Sequence, residues 1–327
     1  MKFEFSVHPT FNFLNSFAEA FDLKVSNNRA IIPARLGQGY VKEIITDTNL
    51  KLVVHHYRLK EDFHLKRLGS SETKNLISIV FNSNEVPTGD VKDKERLIQF
   101  SNVNESTIQV ASSSVGTETY FPANSDVRFL VIGVQRTELS SLLQVEEPNK
   151  QVQTILNSNT TFFFHERMSP DIQRVFKKLF WNSDQDHLLN LFYRIKIQEL
   201  IYLLFSKLLR RENATQHAIN KEDITKLNNV HSALLEDISE PPDLNELAKS
   251  VGMSNTKMKQ LFKQIYGDSM YNYYLKARME DAAYLLKHAN LSVSEVGHRV
   301  GYSNMSHFSR MFRKHYGTSP KDYTSVG

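Results

Sequence analysis

The chain contains no cysteine. That excludes a disulfide framework, a thiol switch and any zinc site with thiolate ligands. No apolar run approaches the roughly 18 residues that a membrane span requires. The opening Met1-Lys2-Phe3-Glu4-Phe5 lacks the charged-then-apolar order of a secretory leader, so a cytoplasmic protein without membrane association is expected. Neither a phosphate-binding glycine loop nor a nucleophile elbow is present. What remains is an ordinary soluble balance, 40% hydrophobic and 23% charged over 327 residues, a length that suggests two or three domains.

Against these absences stands a stretch that occurs twice. Residues 246–252 read Glu-Leu-Ala-Lys-Ser-Val-Gly and residues 295–301 read Glu-Val-Gly-His-Arg-Val-Gly. Met253-Ser254 and Tyr302-Ser303 follow, then helical stretches that reach Phe262-Lys263 and Phe312-Arg313 and close on Tyr266-Gly267 and Tyr316-Gly317. The copies are offset by 49 residues at their start and 50 at their end, which places one extra residue early in the second helix of the second copy. A repeat of this kind sets the architecture.

Each copy has the grammar of a helix-turn-helix. A small residue, Ala248 or Gly297, lets a second helix approach. Gly252 or Gly301 supplies the positive φ of a helix end. Ser254 or Ser303 is positioned to cap the next helix. Met258, Leu261, Phe262 and Ile265, then Phe308, Met311 and Phe312, fall at helical spacing. The opposite face carries Thr256, Lys259 and Gln260 in the first copy and Ser306, His307, Ser309 and Arg310 in the second, donor-rich side chains suited to base edges. A plainer reading, two helical hairpins in an all-α core, is outweighed by the double match and its helix signals.

Residues 223–324 resemble the DNA-binding domain of AraC/XylS transcription regulators. The resemblance rests on Tyr274, Ala277, Arg278, Ala282 and Leu285-Leu286 in a joining helix, Ser269 to Lys287. It rests further on Val293, Val296, Gly301-Tyr302, His307-Phe308-Ser309, Phe312-Arg313, Gly317, Ser319-Pro320 and Tyr323. Gly297 departs from the usual Ala, Tyr302 from the usual Phe, and Thr324 stands where Arg commonly follows the Tyr. The resemblance implies two helix-turn-helix units on one long helix, reading neighbouring major grooves of double-stranded DNA about 34 Å apart. It assigns groove reading to Thr256, Lys259, Gln260, Met305, Ser306, His307, Ser309 and Arg310. Arg310 would pair with guanine, Gln260 with adenine, and Met305 would meet a thymine methyl. The missing cysteines rule out the DNA-repair methyltransferases that share this domain.

Charge agrees with that placement. Residues 241–327 hold 12 Lys and Arg against 7 Asp and Glu, while the remainder of the chain is close to neutral. The basic excess therefore lies on the repeat, as phosphate binding requires.

The earlier chain reads differently. A short amphipathic helix is expected at 11–22. Strands are expected at Tyr40–Thr46, Leu50–Leu59, Leu76–Phe81, Arg96–Phe100, Thr107–Ala111 and Val127–Val134, separated by turn clusters at 47–49, 82–84, 87–90 and 122–125. This spacing suggests a β-sandwich or barrel, in keeping with the cupin-like sensor of many AraC-type regulators. Leu36-Gly37-Gln38-Gly39-Tyr40 and Phe121-Pro122-Ala123 loosely resemble siderophore-responsive regulators, and no ligand is assigned from them. His55 and His56 are adjacent on a strand and point to opposite faces, so they do not chelate one ion together. No metal, cofactor or catalytic residue is expected.

Ser169-Pro170 starts a helix that runs to about Trp181. A second, about Gln185 to Arg211, has an apolar surface too broad for one contact. One face would cover the sensor sheet and another, by resemblance, would meet the same helix of a second subunit in a homodimer, with Leu200 and Leu204 as contact residues. A helix packed only on its own domain is the alternative, and no strict heptad decides between them. The expected organisation is thus a mixed α and β chain: a sensor at 1–165, a helical dimerisation segment at 166–211, a linker at 212–222 and the all-α DNA-binding domain at 223–327. The expected function is sequence-specific transcription regulation under control of a small-molecule effector, with activator or repressor left open and RNA polymerase open as a partner. Two alternatives stand beside it: a cupin-like enzyme fused to a DNA-binding tail, and a ligand-independent regulator whose first domain only oligomerises.

Overall fold

The computed structural model describes residues 1–8, 10–45, 50–70, 72, 73, 75–83, 106–157, 160–180, 187–211 and 217–325. The chain divides into two compact units whose sequence boundary falls between Lys221 and Glu222. The strand expected at 96–100, the turns at 47–49 and 87–90, the break at 182–184 and linker residues 212–216 lie outside the described residues.

The first unit begins with β1 (Lys2–Ser6), α1 (Phe13–Phe21), β2 (Val25–Ser26), β3 (Arg29–Ile31), β4 (Gly37–Ile45) and β5 (Lys51–Leu59). It continues with β6 (Phe63–Leu68), β7 (Leu76–Asn82), β8 (Thr107–Ser112), β9 (Thr117–Phe121) and β10 (Val127–Gln135). Then come α2 (Arg136–Leu143), α3 (Lys150–Leu156), β11 (Phe163–Arg167), α4 (Pro170–Lys178) and α5 (Leu189–Leu209). Among the described residues the large sheet runs β11-β8-β7-β10-β5-β4-β3-β2, antiparallel at every pairing. A smaller sheet runs β1-β6-β9, with β1 parallel to β6.

The two-residue period of a strand divides the large sheet into two faces. On β7 and β10, Ile77, Ile79, Phe81, Leu130, Ile132 and Val134 pack in one core with Ile197, Leu200, Ile201, Leu204, Phe205 and Leu208 of α5. On the other face Val53, Tyr57 and Phe129 meet Phe3, Phe63 and Phe121 of the small sheet, with Leu14 and Phe17 of α1 in the same core. Phe121 and Phe129 stack across the two sheets at 5.6 Å. His55 lies in this interior, its ring 3.8 Å from that of Phe129. His56 points the other way, 3.6 Å from Asp126.

Leu200 and Leu204 require a correction. Both are fully buried inside their own unit, so neither is available to a second subunit. Apolar periodicity along α5 could not separate the face that covers the sheet from the face turned outward. The outward apolar residues of this segment are Leu188, Leu191, Ile195 and Tyr202. The far end of α5 is fixed where the Asn149 side-chain amide donates to the Leu208 carbonyl at 2.9 Å. Just beyond it, Arg211 donates through Nε to Glu166 on β11 at 2.5 Å.

The second unit consists of α6 (Lys221–Glu236), α7 (Leu244–Ser250), α8 (Asn255–Tyr266), α9 (Met270–His288), α10 (Val293–Arg299), α11 (Met305–Tyr316) and α12 (Pro320–Ser325). The long α9 is buried on two sides. Tyr273 near its start packs edge-on to Phe262 and Tyr266 of α8, at 5.6 Å each. Met279, Ala282, Leu285 and Leu286 near its end share a core with Val296, Val300, Phe308 and Phe312.

Candidate nucleic-acid interface

The two repeats fold into α7-turn-α8 and α10-turn-α11. Each first helix begins at a side-chain cap. Asp243 accepts from the amides of Asn245 and Glu246, and Ser292 forms a reciprocal capping box with Glu295. Caps of this kind contribute about 1 kcal/mol each. At the end of each first helix the chain reverses through glycine, Gly252 at φ 62 and Gly301 at φ 80.

The turns then differ. Ser254 caps α8 by accepting from the Lys257 amide at 3.3 Å. Ser303 has the equivalent place in sequence but does not cap α11; Asn304 does, accepting from the His307 amide at 3.0 Å. The extra residue of the second copy is therefore absorbed in the turn, not early in the helix. Both second helices span 12 residues. Asn side chains rank with Ser as caps, so the chain uses the residue that the longer turn delivers to the helix start.

From the caps onward the second helices correspond at an offset of 50 residues, since α8 begins at Asn255 and α11 at Met305. Thr256 corresponds to Ser306, Lys259 to Ser309, Gln260 to Arg310 and Lys263 to Arg313. Thr256, Lys259, Gln260, Lys263, Ser306, His307, Arg310 and Arg313 are exposed, while Ser309 is half-buried at the edge of its face. Spacings of three and four residues put the corresponding sets on one side of each helix, opposite buried Met258, Leu261 and Phe262 or Phe308 and Phe312. Lys263 and Arg313 were not among the residues expected to contact DNA. Their place one turn beyond Lys259 and Ser309 was the available signal. Lys257 is tied to Asp223 of α6 at 2.7 Å.

Met305 departs from the expectation of a thymine contact. It precedes Phe308 and Phe312 by three and seven residues, which places it on the core stripe. Its side chain packs over Gly297: a Cβ added there would lie 2.6 Å from the Met305 sulfur and 3.1 Å from the Phe308 ring. Gly297 thus makes room for Met305, and the residue that departs from the resembled pattern is accounted for by its neighbour.

The second turn is held from behind by α9. The Arg278 side chain donates through Nε to the Val300 carbonyl at 2.7 Å and lies over the Tyr302 ring at 4.2 Å. Tyr274 donates to the Ile238 carbonyl at 3.0 Å. Gly301 fits between these groups, since a Cβ there would overlap the Ser239 carbonyl and sit 2.7 Å from the Arg278 guanidinium.

Residues 247–325 match the family model described as a helix-turn-helix domain. The HTH-type transcriptional regulator GbdR of Pseudomonas aeruginosa is 35% identical over 97 residues, 30% of this chain and 26% of that protein. The HTH-type transcriptional activator RhaS of Salmonella schwarzengrund is 30% identical over 125 residues, 38% of this chain and 44% of its own length. The chain therefore spans less than half the length of these curated relatives. A solved transcriptional regulator with an AraC-type DNA-binding domain, from Chromobacterium violaceum, is 31% identical, with 32% of this chain and 95% of that one covered and a TM-score of 0.30.

Proposed function

We propose that this chain, which carries an AraC-type helix-turn-helix domain at its C-terminal end, is a sequence-specific DNA-binding transcription regulator. The observation that carries the reading is the correspondence of Thr256, Lys259, Gln260 and Lys263 with Ser306, Ser309, Arg310 and Arg313 on two second helices joined through α9. Gln260 and Arg310 are the base-reading residues: an amide suits adenine and a guanidinium suits guanine in the major groove. Lys263 and Arg313, one turn on, contact phosphate, and Thr256, Lys259, Ser306, His307 and Ser309 complete the contact surface. Binding takes place in the cytoplasm.

The first unit acts as a sensor that is cupin-like in having two sheets around an interior. The chain works as a homodimer through the outward face of α5. Leu191, Ile195 and Tyr202 are exposed there, at spacings of four and seven residues, the recurrence of a coiled-coil seam, and Leu188 is exposed just before the helix. This seam replaces Leu200 and Leu204 as the proposed contact.

Affinity of the full chain for an operator fragment, measured across a salt series, tests the DNA reading. Each phosphate neutralised should contribute about 0.9 to the negative slope of log affinity against log salt. A flat response would remove the basic face from the interface.

A further inference from the structure

The inference rests on the reading of the first unit as a sensor, and it names the chemistry of what is sensed. Between the two sheets lies an open-sided cavity of about 720 Å³, within the range of small-molecule sites. Its walls are mixed: Phe5 and Phe121 of the small sheet and Val80, Phe129 and Val131 of the large one form an apolar part, and polar and charged side chains line the rest. The stacked rings of Phe121 and Phe129, with His55 stacked on Phe129, form an aromatic cluster in the lining.

Of the two cations that line the cavity, Lys51 is exposed and Arg67 is buried. Arg67 on β6 shares the inward face with Phe63 and Leu65, is 8% exposed and lines the cavity. One of its terminal nitrogens donates to the Val115 carbonyl at 2.9 Å, its Nε has no partner, and no carboxylate pairs with it among the described residues. Burial pulls its pKa down to about 10, so it remains a cation at neutral pH. Two carboxylates also line the cavity: Glu43 is buried and engaged by the Asn12 amide at 2.7 Å, and Glu72 is exposed. A buried charge held by one neutral carbonyl is costly, and a charge-assisted bond to an anion offsets that cost.

We infer that the cavity binds an apolar organic carboxylate, its ring or chain lying between the sheets and its carboxylate seated on Arg67. Gly133, in mid-strand on β10, also lines the cavity and gives an independent handle. A Cβ there would meet only the end of the Leu76 side chain, at 3.9 Å, so larger side chains project into open space.

The experiment is calorimetric titration of the full chain with 2-naphthoate and with its neutral isostere 2-naphthamide. Naphthoate is expected to bind at least tenfold more tightly than the amide. Arg67→Met should erase that preference while leaving naphthamide affinity within about twofold, and Arg67→Lys should retain most of it. Gly133→Leu, which leaves Arg67 in place, should abolish binding of both probes. Equal binding of the two probes, no binding of either, or a preference that survives Arg67→Met would overturn the inference. The same samples are then tested on operator DNA. Naphthoate binding on these terms without any change in DNA affinity would support the anion seat and contradict the sensor reading.

Discussion

Arg278 and Val300 are joined by a 2.7 Å hydrogen bond from the Arg278 Nε to the carbonyl at the turn of the second helix-turn-helix. Through this contact the long helix α9 sets the position of α11, whose exposed face bears Arg310. Arg278→Met removes a charge-assisted bond and the stacking on Tyr302 while retaining volume. A loss of about 2–4 kcal/mol in the stability of the second unit is expected, measured by denaturant unfolding. A change under 0.5 kcal/mol would mean that the turn holds itself.

Gly297 and Met305 should be energetically coupled. Ala at 297 gains close to 1 kcal/mol of helix propensity but displaces the Met305 thioether. Gly297→Ala alone is therefore expected to be near neutral. In a Met305→Ala background, where only the Phe308 ring at 3.1 Å still crowds the added methyl, it should stabilise by part of that gain. A double-mutant cycle with a coupling below about 0.3 kcal/mol would show that the two do not share this space.

These two contacts mark the limit of what the sequence makes legible. The repeat, its caps and its glycines are readable because each backbone position demands a residue type. The choice between Ser303 and Asn304 is not, because both can cap and only the length of the turn decides. The inward place of Met305 is legible only once the helix start is known, since its spacing to Phe308 and Phe312 then puts it on the core stripe. In the first unit β5, β7 and β10 stand out as apolar runs. The small sheet does not: Thr117–Phe121 is mostly polar, and Phe63–Leu68 alternates apolar with basic residues. An inward-facing Arg67 breaks the pattern where a ligand would meet it.

The first unit should lose stability in acid through His55. Burial holds its pKa at about 3 against an ordinary 6.5, so the folded protein keeps the ring neutral while the unfolded chain protonates below 6.5. The contribution is fully present above pH 6.5 and falls as pH drops from there toward 3, at up to about 1.4 kcal/mol per pH unit. Thermal unfolding across pH 4–7 should show a shallower decline for His55→Phe than for the parent. Parallel curves would contradict the account of His55.

The two faces of α5 should respond differently to substitution. Leu200→Ala opens a cavity in the core and is expected to cost about 2–5 kcal/mol of stability. Ile195→Glu alters only the outward seam and should leave the melting temperature of the first unit nearly unchanged while converting a dimer to monomer in sedimentation. A stable dimer carrying Ile195→Glu would place the contact elsewhere.

The central claim is that two corresponding helices of one chain read two separate stretches of DNA. Binding-site selection with the parent, Gln260→Ala and Arg310→Ala tests it most directly. Each substitution is expected to cost about 1–3 kcal/mol and to relax base preference in its own half-site, the two half-sites lying about 10 base pairs apart. Because the residues sit on separate helices, the costs of the double variant should nearly add. Loss of preference at the same position in both variants, or a uniform loss over all sequences, would contradict the claim.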